Sequence, residues 1–392
     1  MTRRRIAGLD GLRGLAALYV VAHHCWLLCF PGYPRNTGPW WTGWLLHGRL
    51  AVVFFIVLSG FSLAAGPANN GWGLGGVAGY FRRRARRILP PYWAALALSL
   101  LVAAIAAPLP LSHPPSERSI LVYGLLLQDF VSAPAPNGAF WSIAVEAALY
   151  IAFPILLLIR RRFGAAVTLA LVAGPVIAIG MRHPIAYTWQ LAPLFTMGLI
   201  AAGLRHRPWA VAVAALPPVL LVVVNGSVWT VEHYFWIDLA IGPAIALFLS
   251  SIANGRPAAL LRLLTTGPMR RLGGCSYSLY LLHMPIVALI SRRLVAPHAR
   301  AGLPTFLLTV LLAVPASVAA AHVFAAVFER PRRLGAQRAN RIVRTSNGVN
   351  RNAIGPAGSA SPSGRSSSET VCAEETSVCT CSVPEARRPN DS

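Results

Sequence analysis

Lysine is absent from this sequence, and charged residues of any kind are few. They make up 12% of the 392 residues, whereas an ordinary soluble domain carries about 25%. Hydrophobic residues account for 55%, and their long runs exclude a disordered chain. The 33 glycines and 31 prolines follow no period, which excludes a collagen-like chain. The composition also excludes a soluble globular enzyme and predicts an all-α polytopic membrane protein.

Acidic residues are scarce as well. Asp and Glu together number 12, against 35 basic residues that are all arginine, so the formal net charge is +23. Such an excess suits nucleic acid, an anionic membrane surface or an anionic substrate. The arginines form short clusters between apolar segments, which is the pattern that membrane topology produces. We therefore expect the lipid bilayer as a partner and no nucleic acid.

Cysteine is also rare, and the six cysteines form no metal-binding pattern. Their spacing matches no zinc ribbon, C-x-x-C or haem-attachment motif. Three lie in apolar runs and three in the C-terminal segment: Cys25, Cys29, Cys275, Cys372, Cys379 and Cys381. We expect packing residues and thiols here, with no bound metal.

Ten apolar stretches are long enough to cross a hydrocarbon core, which takes roughly 20 residues. They cover residues 11–30, 45–65, 88–107, 139–159, 165–181, 185–204, 210–225, 235–253, 272–296 and 303–328. With the N- and C-termini in the cytoplasm, the predicted inner segments hold 17 arginines and the outer loops hold four. This distribution follows the positive-inside rule and predicts a multi-pass protein of the cell membrane.

Residues 1–333 are the predicted membrane-embedded domain. Beyond them the sequence becomes rich in Ser, Arg, Asn and Gly and loses its apolar periodicity. Such a composition cannot bury enough apolar surface to fold. We therefore expect residues 334–392 to form a disordered cytoplasmic tail.

Ionisable side chains inside membrane spans are costly, so each is a candidate functional residue. The predicted spans and their boundaries contain Arg13, His23, His24, Arg49, Glu146, Asp238, His283, His322 and Glu329. Arg13 and His24 are eleven residues apart, and eleven steps of 100° end about 20° beyond three full turns. Both side chains therefore share one stripe of the first helix, about 16 Å apart along its axis. The structural alternative pairs Arg13 with Asp10 and makes His24 a hydrogen-bonded interface histidine.

Five arginines lie between residues 82 and 87, at a predicted inner boundary. One interpretation is a positive-inside anchor. The other is an anion-binding collar, because arginine binds phosphate oxygens in a bidentate manner and such a cluster suits coenzyme A. In the second interpretation the five arginines together bind such a polyphosphate, and Tyr92 follows them in the same segment.

Two acidic residues, Glu146 and Glu329, lie at different depths in the predicted bundle. Glu146 in the fourth span shares the predicted depth of His24, about 10 Å below the outer face. It either orients His24 and raises its basicity, or it neutralises a buried arginine such as Arg49. Glu329 lies at the inner end of the last span, level with Arg13, where an ion pair is the simplest role.

Tyr280 and His283 are three residues apart, on one face of the ninth span. Two interpretations are open for this pair. The side chains are either further polar groups of the same cavity or partners in hydrogen bonds between helices.

Six segments in this order resemble acyltransferase family 3, the membrane proteins that include the O-acetylases of lipopolysaccharide and peptidoglycan. They are Leu9–Gly14 with His24 eleven residues after Arg13, Phe54–Phe61, Arg83–Pro90, Phe140–Tyr150, Ser276–His283 and Glu329–Pro331. The resemblance covers about residues 5–333. It implies an integral-membrane enzyme that moves an acyl group, commonly acetyl, from cytoplasmic acyl-CoA to a hydroxyl, usually of a carbohydrate. Acyl-CoA (acetyl-CoA) is then a donor substrate, with no permanently bound cofactor.

The resemblance also implies roles for individual residues. His24 matches the family's essential histidine and Arg13 its arginine partner, while Arg84 and Arg87 match the arginine motif that serves the donor. Glu329 matches the acidic residue before the final Arg-Pro. The sequence shows no esterase-like domain after the tenth span, which some relatives have, and this leaves the acceptor less constrained.

The chemistry of the candidate residues agrees with acyl transfer. Attack of a hydroxyl on a thioester needs a base, and a neutral imidazole accepts a proton near neutral pH. His24 is the candidate base, with an acyl-histidine relay through the same residue as the alternative. Arg13 is too far along the helix to stabilise the thioester oxygen. It is expected to hold the phosphate or pantetheine end of the donor.

Two other classes of function are open from sequence alone. Intramembrane His and Glu with nearby arginines also suit a proton-coupled transporter of an anionic solute, which would consume no acyl-CoA. A structural or receptor protein would tolerate the replacement of His24. Within the enzyme interpretation, the acceptor is either a cell-surface glycan or a secreted small molecule such as a glycosylated antibiotic.

Overall fold

The computed structural model describes residues 6–35, 38–182 and 188–329, and within these ranges the chain forms helices and no β-strand. The predicted tail, with its three cysteines, lies outside the described residues, as do the arginines at positions 3–5.

The described ranges contain twelve α-helices, numbered in chain order. They are α1 (Leu9–Cys29), α2 (Arg49–Ala68), α3 (Val77–Ala106), α4 (Glu117–Gly124), α5 (Trp141–Arg182), α6 (Leu191–Ala201), α7 (Trp209–Glu232), α8 (Tyr234–Ala253), α9 (Ala258–Leu264), α10 (Gly267–Gly274), α11 (Ser276–Leu289) and α12 (Leu303–Phe328). A 3-10 helix, Trp40–His47, precedes α2, and a π-helix, Ile290–Val295, continues α11.

Eight helical segments of the described chain are long and apolar enough to cross a membrane. They are Leu9–Cys29, Trp40–Ala68, Val77–Ala106, Trp141–Arg182, Trp209–Glu232, Tyr234–Ala253, Ser276–Val295 and Leu303–Phe328. Helices satisfy their own backbone hydrogen bonds, which hydrocarbon requires of any spanning segment. The predicted all-α, multi-pass membrane architecture is confirmed.

The predicted fourth and fifth spans are joined in the single helical segment α5. As one straight helix its 42 residues would measure about 63 Å at 1.5 Å per residue, about twice the thickness of a hydrocarbon core. Gly164 interrupts it with a φ of 84°, a conformation that glycine adopts without steric cost. The interruption follows directly after Arg160–Arg162, the predicted inner loop.

The predicted sixth span, 185–204, differs most from the structure. Residues 183–187 lie outside the described part, and the helix α6 has only 11 residues, too few to cross a bilayer alone. It is buried against α2, α5 and α8. Its apolar character therefore serves packing against protein rather than lipid.

Two glycines set the distance between α2 and α6. A Cβ atom on Gly60 would lie 2.0 Å from the carbonyl oxygen of Phe195, and one on Gly198 would lie 2.0 Å from that of Val57. The two backbones thus touch directly, as small residues permit in membrane helix pairs. Ser59 and Ser62 of α2 are half-buried, and they donate to Glu146 and accept from Arg13, respectively.

The helix α1 carries two of the predicted site residues and packs in the centre of the described bundle. It contacts α2, α10, α11 and α12. Gly14 meets Gly273 of α10 so closely that a Cβ atom on Gly14 would lie 2.8 Å from the Gly273 nitrogen. The central position of α1 brings Arg13 and His24 against several helices at once.

Candidate active site

His24 lies in the C-terminal half of α1 and meets a second histidine from α11. Its Nδ1 is 2.9 Å from the carbonyl oxygen of Val20 and 3.3 Å from Nε2 of His283. The two imidazole ring centres are 4.9 Å apart. His283 is fully buried, and its Nδ1 is 2.7 Å from the carbonyl oxygen of Tyr280.

These contacts assign the protons of the two neutral rings. A carbonyl oxygen only accepts hydrogen bonds, so Nδ1 of each histidine is the protonated nitrogen that donates to it. Nε2 of His283 then carries a lone pair and accepts from Nδ1 of His24. All hydrogen bonds of His24 within the described chain go through Nδ1. The lone pair of His24 Nε2 is thereby left for a substrate.

His23, the neighbouring histidine, has a structural role. Its Nδ1 donates to the carbonyl oxygen of Leu45 at 2.6 Å, and only 8% of the residue is exposed. Gly48 packs against its ring, where a Cβ atom would lie 2.1 Å from Cγ of His23. His23 therefore holds the 3-10 helix against α1.

A cavity of about 430 Å³ opens beside His23 and His24. Its volume is within the range of about 300–1,000 Å³ typical of small-molecule sites. His23 and His24 line it together with the aromatic and charged residues Tyr33, Arg49, Trp141, Glu232, Tyr234, Asp238 and Tyr280. The C-terminal end of α1 and the N-terminal end of α2 border this cavity. It lies at the end of the bundle that the arginine distribution predicts to be outside.

Arg49 and Asp238 form an ion pair in the wall of this cavity. Nε of Arg49 donates to Oδ2 of Asp238 at 2.9 Å, and Asp238 is 1% exposed. The guanidinium carbon of Arg49 lies 4.1 Å from the ring centre of Tyr234 and 5.3 Å from that of Trp141. One of the two roles predicted for Glu146 was to neutralise Arg49, whereas the ionic partner of Arg49 in the structure is Asp238.

Glu146 lies in a separate polar group between α2 and α5. The hydroxyl of Ser59 donates to Oε1 of Glu146 at 2.5 Å, and the hydroxyl of Tyr150 donates to the same atom. The hydrogen bonds of His24 in the described residues go instead to Val20 and His283. The predicted contact between Glu146 and His24 is thus not among them.

Arg13 belongs to the opposite end of α1 from His24. It donates to Oδ1 of Asp10 at 3.1 Å and to the hydroxyl of Ser62 at 2.7 Å. It also lies within electrostatic range of Arg87 and Tyr150. The structure therefore joins Arg13 to its predicted neighbour Asp10 and to Ser62 of α2.

Arg84 and Arg87 are one turn apart on α3. The guanidinium carbon of Arg84 lies 5.7 Å from the ring centre of Tyr150 and 5.9 Å from that of Tyr80, both within cation–π range. Arg84 is half-buried, whereas Arg87 is exposed. Together with Arg13 they give the predicted cytoplasmic end of the bundle three positive charges, of which that of Arg84 lies over the Tyr150 ring.

Two tyrosines of the predicted site have different surroundings. The hydroxyl of Tyr280, a cavity residue, donates to the carbonyl oxygen of Ala139 at 3.1 Å and accepts from Ser142 at 2.6 Å. Tyr92 is fully buried, does not line the cavity, and donates to the carbonyl oxygen of Tyr123 at 2.8 Å. Tyr280 thus shapes the cavity, while Tyr92 joins α3 to α4.

Glu329 caps a helix. Its Oε1 accepts from the backbone N–H of Ser278 at 3.2 Å and from the Ser278 hydroxyl. Ser278 is the third residue of α11, so the carboxylate lies at the positive end of that helix. The predicted role of Glu329 was an ion pair, whereas its contacts in the described chain are these two hydrogen bonds.

The described residues contain no group of three or more His, Cys, Asp and Glu side chains that could hold a metal ion. The remaining intramembrane histidine, His322, lies beside Cys275, with 3.6 Å between its Nδ1 and the sulfur. This pair does not line the cavity.

Comparison with known families assigns the chain. A family model described as "Acyltransferase domain", that of acyltransferase family 3, matches residues 6–324. The chain belongs to acyltransferase family 3. It is thus a membrane-embedded member of an acyltransferase family, as the six sequence segments predicted.

Three relatives show how far the similarity extends. The chain is 25% identical over 348 residues to "Putative peptidoglycan O-acetyltransferase YrhL" of Bacillus subtilis (strain 168), covering 77% of this chain and 51% of that protein. It is 26% identical over 319 residues to "Acyltransferase MdmB" of Streptomyces mycarofaciens, covering 72% of this chain and 79% of that protein. It is 23% identical over 318 residues to "Nodulation protein 10" of Rhizobium leguminosarum bv. viciae, covering 71% of this chain and 82% of that protein.

The alignment with the Bacillus protein therefore spans about half the length of that relative. No solved structure matches the chain.

Proposed function

We propose that this protein transfers an acyl group, acetyl in the first instance, from cytoplasmic acyl-CoA to a hydroxyl of a carbohydrate at the outer face of the membrane. The observation that carries the proposal is the position of His24. Its contacts leave Nε2 with a lone pair, the residue lines a substrate-sized cavity, and the same helix carries Arg13 about 16 Å away.

The proposed reaction uses His24 as a general base. Nε2 accepts the proton of the acceptor hydroxyl while its oxygen attacks the carbonyl carbon of the thioester. The new C–O bond forms an ester, the C–S bond breaks, and the proton passes to the sulfur so that coenzyme A leaves as the free thiol. His283 acts as a positioning residue, because it accepts from Nδ1 of His24 and, with the carbonyl oxygen of Val20, supports the tautomer that the step requires.

Arginines at the other end of α1 are proposed to hold the donor. Arg13, Arg84 and Arg87 supply positive charge and bidentate donors for phosphate oxygens. The distance of about 16 Å along α1 would place the nucleotide end of the donor at the arginines and its thioester near His24. An extended pantetheine arm between them suits this arrangement.

The carbohydrate acceptor is supported by the name of one relative and by the lining of the cavity. The Bacillus relative is named as a peptidoglycan O-acetyltransferase. Aromatic rings and a few polar groups, rather than a dense positive charge, line the cavity next to His24. Such a lining suits a hydroxyl-bearing ligand better than a polyphosphate.

The test is the transfer of radioactive acetyl from acetyl-CoA in membranes that contain the wild-type protein, with peptidoglycan fragments and lipid-linked sugars as acceptors. Label in a glycan fraction with wild type, and none with His24→Ala, is the expected result. His113→Ala removes an exposed histidine away from the cavity and should label as wild type does. Label that is independent of the protein, or equal with His24→Ala, would contradict the proposal.

A further inference from the structure

One face of α2 keeps exposed surface although this helix packs against four others, α1, α5, α6 and α8. Phe55, Ser59 and Ser62 are half-buried, whereas the other residues from 56 to 61 are buried. Spacings of four and three residues put the three side chains on one stripe of the helix. The space along this stripe is called the inner passage below.

Side chains of three other helices border the inner passage. The ring centre of Phe55 lies 5.9 Å from that of Tyr280, a cavity residue on α11. One turn further along α2, the hydroxyl of Ser59 donates to Oε1 of Glu146 on α5 at 2.5 Å. The last residue of the stripe accepts from Arg13 of α1 at 2.7 Å. The inner passage therefore runs from the outer cavity to the arginines at the other end of α1.

Glu146 presents one oxygen atom to the inner passage. Its hydrogen bonds within the described residues, from Ser59 and Tyr150, both go to Oε1. Oε2 has no partner there and retains exposed surface. Ile151 and Ile155 are 66% and 63% exposed, and they lie about 140° and 180° around α5 from Glu146. The open oxygen thus faces the interior of the bundle and not the lipid.

Tyr277 of α11 borders the same space. It is half-buried, whereas the other residues of 276–285 are buried, and it lies within electrostatic range of Glu146 and Tyr150. Its hydroxyl donates to the carbonyl oxygen of Ile88 at 3.3 Å. The donor of this neighbouring hydroxyl is therefore used, and Oε2 of Glu146 is left for a donor that a ligand brings.

The surrounding charges define what that ligand can be. A carboxylate oxygen only accepts hydrogen bonds, and Glu146 repels a phosphate. Arg13, which is bonded to Asp10, and Arg84, which lies over the ring of Tyr150, are the cations near this end of the passage, and they repel an ammonium group. An uncharged N–H or O–H group suits Oε2 best.

The level of Glu146 in the bundle selects a part of the acyl-CoA donor. Its partner Ser59 lies three residues from Ser62, about 4.5 Å along α2 toward the cavity. Arg13, the partner of Ser62, is about 16 Å from His24, which leaves roughly 11 Å between Glu146 and His24 along the axis. With the nucleotide at the arginines and the thioester at His24, Glu146 is level with the pantoyl end of the pantetheine arm, where an amide N–H is available.

We infer that Glu146 binds the pantetheine arm of the donor, with Oε2 accepting from the amide N–H that joins the pantoyl unit to β-alanine. The inference rests on the proposed function, in which acyl-CoA is the donor, and specifies how that donor is held. Ser59 and Tyr150 orient the carboxylate through Oε1. Glu146 is thus a donor-binding residue and takes no part in proton transfer at His24.

Three acetyl donors of decreasing length test this assignment: acetyl-CoA, S-acetylpantetheine and S-acetyl-N-acetylcysteamine. The last keeps the thioester but lacks both the nucleotide and the pantoyl amide. Steady-state transfer to lysozyme-released peptidoglycan fragments is measured with the wild-type protein and with Glu146→Gln. The glutamine oxygen still accepts from Ser59 and Tyr150, while its nitrogen replaces Oε2 and only donates.

We expect Glu146→Gln to raise the KM for acetyl-CoA and for S-acetylpantetheine at least about tenfold, as the loss of a hydrogen bond to a charged group does. The KM for S-acetyl-N-acetylcysteamine, and kcat with all three donors, should stay at the wild-type values. Tyr150→Phe keeps Oε2 but removes a bond that orients it, so the same two KM values should rise about threefold. Glu117→Gln, an exposed carboxylate on α4, is the matched control and should behave as wild type.

The other outcomes contradict different claims. Wild-type KM values for all three donors with Glu146→Gln would overturn the inference and leave the proposed function standing. A rise that includes S-acetyl-N-acetylcysteamine, or a fall in kcat alone, would place Glu146 at the reacting atoms and also overturn it. If the wild-type protein transfers acetyl from none of the three donors, the proposed function fails for thioester donors, and the inference fails with it.

Discussion

The imidazole of His283 holds that of His24 through a single nitrogen, with 3.3 Å between His283 Nε2 and His24 Nδ1. The bond joins α1 to α11 across 259 residues of sequence. Together with the carbonyl oxygen of Val20, which accepts from the same Nδ1, it gives the His24 ring one defined tautomer and leaves Nε2 as the nitrogen that accepts a proton. Acyl transfer by this protein should therefore depend on both histidines in different ways.

The first prediction concerns His283. His283→Ala removes one of the two acceptors of Nδ1 of His24 and leaves the carbonyl oxygen of Val20, so kcat should fall by roughly 10- to 100-fold, the range for a lost hydrogen bond to a charged group in the transition state. The KM values for both substrates should stay constant. His283→Gln should regain part of the rate, because its amide oxygen also accepts a hydrogen bond. A tenfold rise in either KM without loss of kcat would contradict the positioning role.

A second prediction separates the donor end from the acceptor end. Arg84→Gln should raise the KM for acetyl-CoA by about tenfold, the effect of one lost charge-assisted bond to phosphate. The KM for S-acetylpantetheine, which lacks the nucleotide, should not change. Arg86→Gln removes an exposed arginine two residues along α3 and is the matched control. Equal effects of the two variants would show that only general positive charge matters.

Gly48 offers a third test, at the junction between the 3-10 helix and α2. A Cβ atom here would overlap the ring of His23, so Gly48→Ala should destabilise the protein by about 1–3 kcal/mol. A lower midpoint of thermal unfolding in detergent would show this. Gly43→Ala, in the same 3-10 helix with no atom within 4 Å of the new Cβ, should unfold as wild type does. Equal midpoints for all three proteins would contradict the packing described for His23.

The contact between α2 and α6 provides the fourth prediction. Gly198→Ala would force a Cβ atom against the carbonyl oxygen of Val57, and backbone atoms cannot move aside as a flexible side chain can. The unfolding midpoint should fall clearly. In contrast, Gly174→Ala in α5 meets no atom within 4 Å and should be neutral or stabilise by up to about 1 kcal/mol. A stable Gly198→Ala protein would mean that α6 packs elsewhere.

Much of the fold could be predicted because lipid imposes a simple rule on sequence. Long apolar runs must be helices, and seven of the ten predicted spans correspond to single long helices of the described chain. The short α6 could not be predicted as such, since burial by protein and burial by lipid select the same apolar residues. The interruption at Gly164 within α5 depends on backbone conformation that composition does not encode.

The candidate site was predicted in part. Helical periodicity places Arg13 and His24 on one stripe of α1, and both occupy that helix in the structure. Their partners Ser62 and His283 could not be predicted, because partners depend on which helices become neighbours. The pair of Arg49 and Asp238 was missed for the same reason. Its signal was visible, since two opposite charges within apolar spans need a partner.

The proposed reaction depends on Nε2 of His24, which accepts the proton of the acceptor hydroxyl. The most direct measurement compares kcat for acetyl transfer between the wild-type protein and His24→Asn. The asparagine amide can still donate to the carbonyl oxygen of Val20, as Nδ1 does, but it has no basic nitrogen. We expect the His24→Asn protein to fold, to bind acetyl-CoA normally and to transfer acetyl about 10²- to 10⁴-fold more slowly, because a general base usually contributes a factor of this size. A folded His24→Asn protein with a rate close to wild type would contradict the proposed reaction.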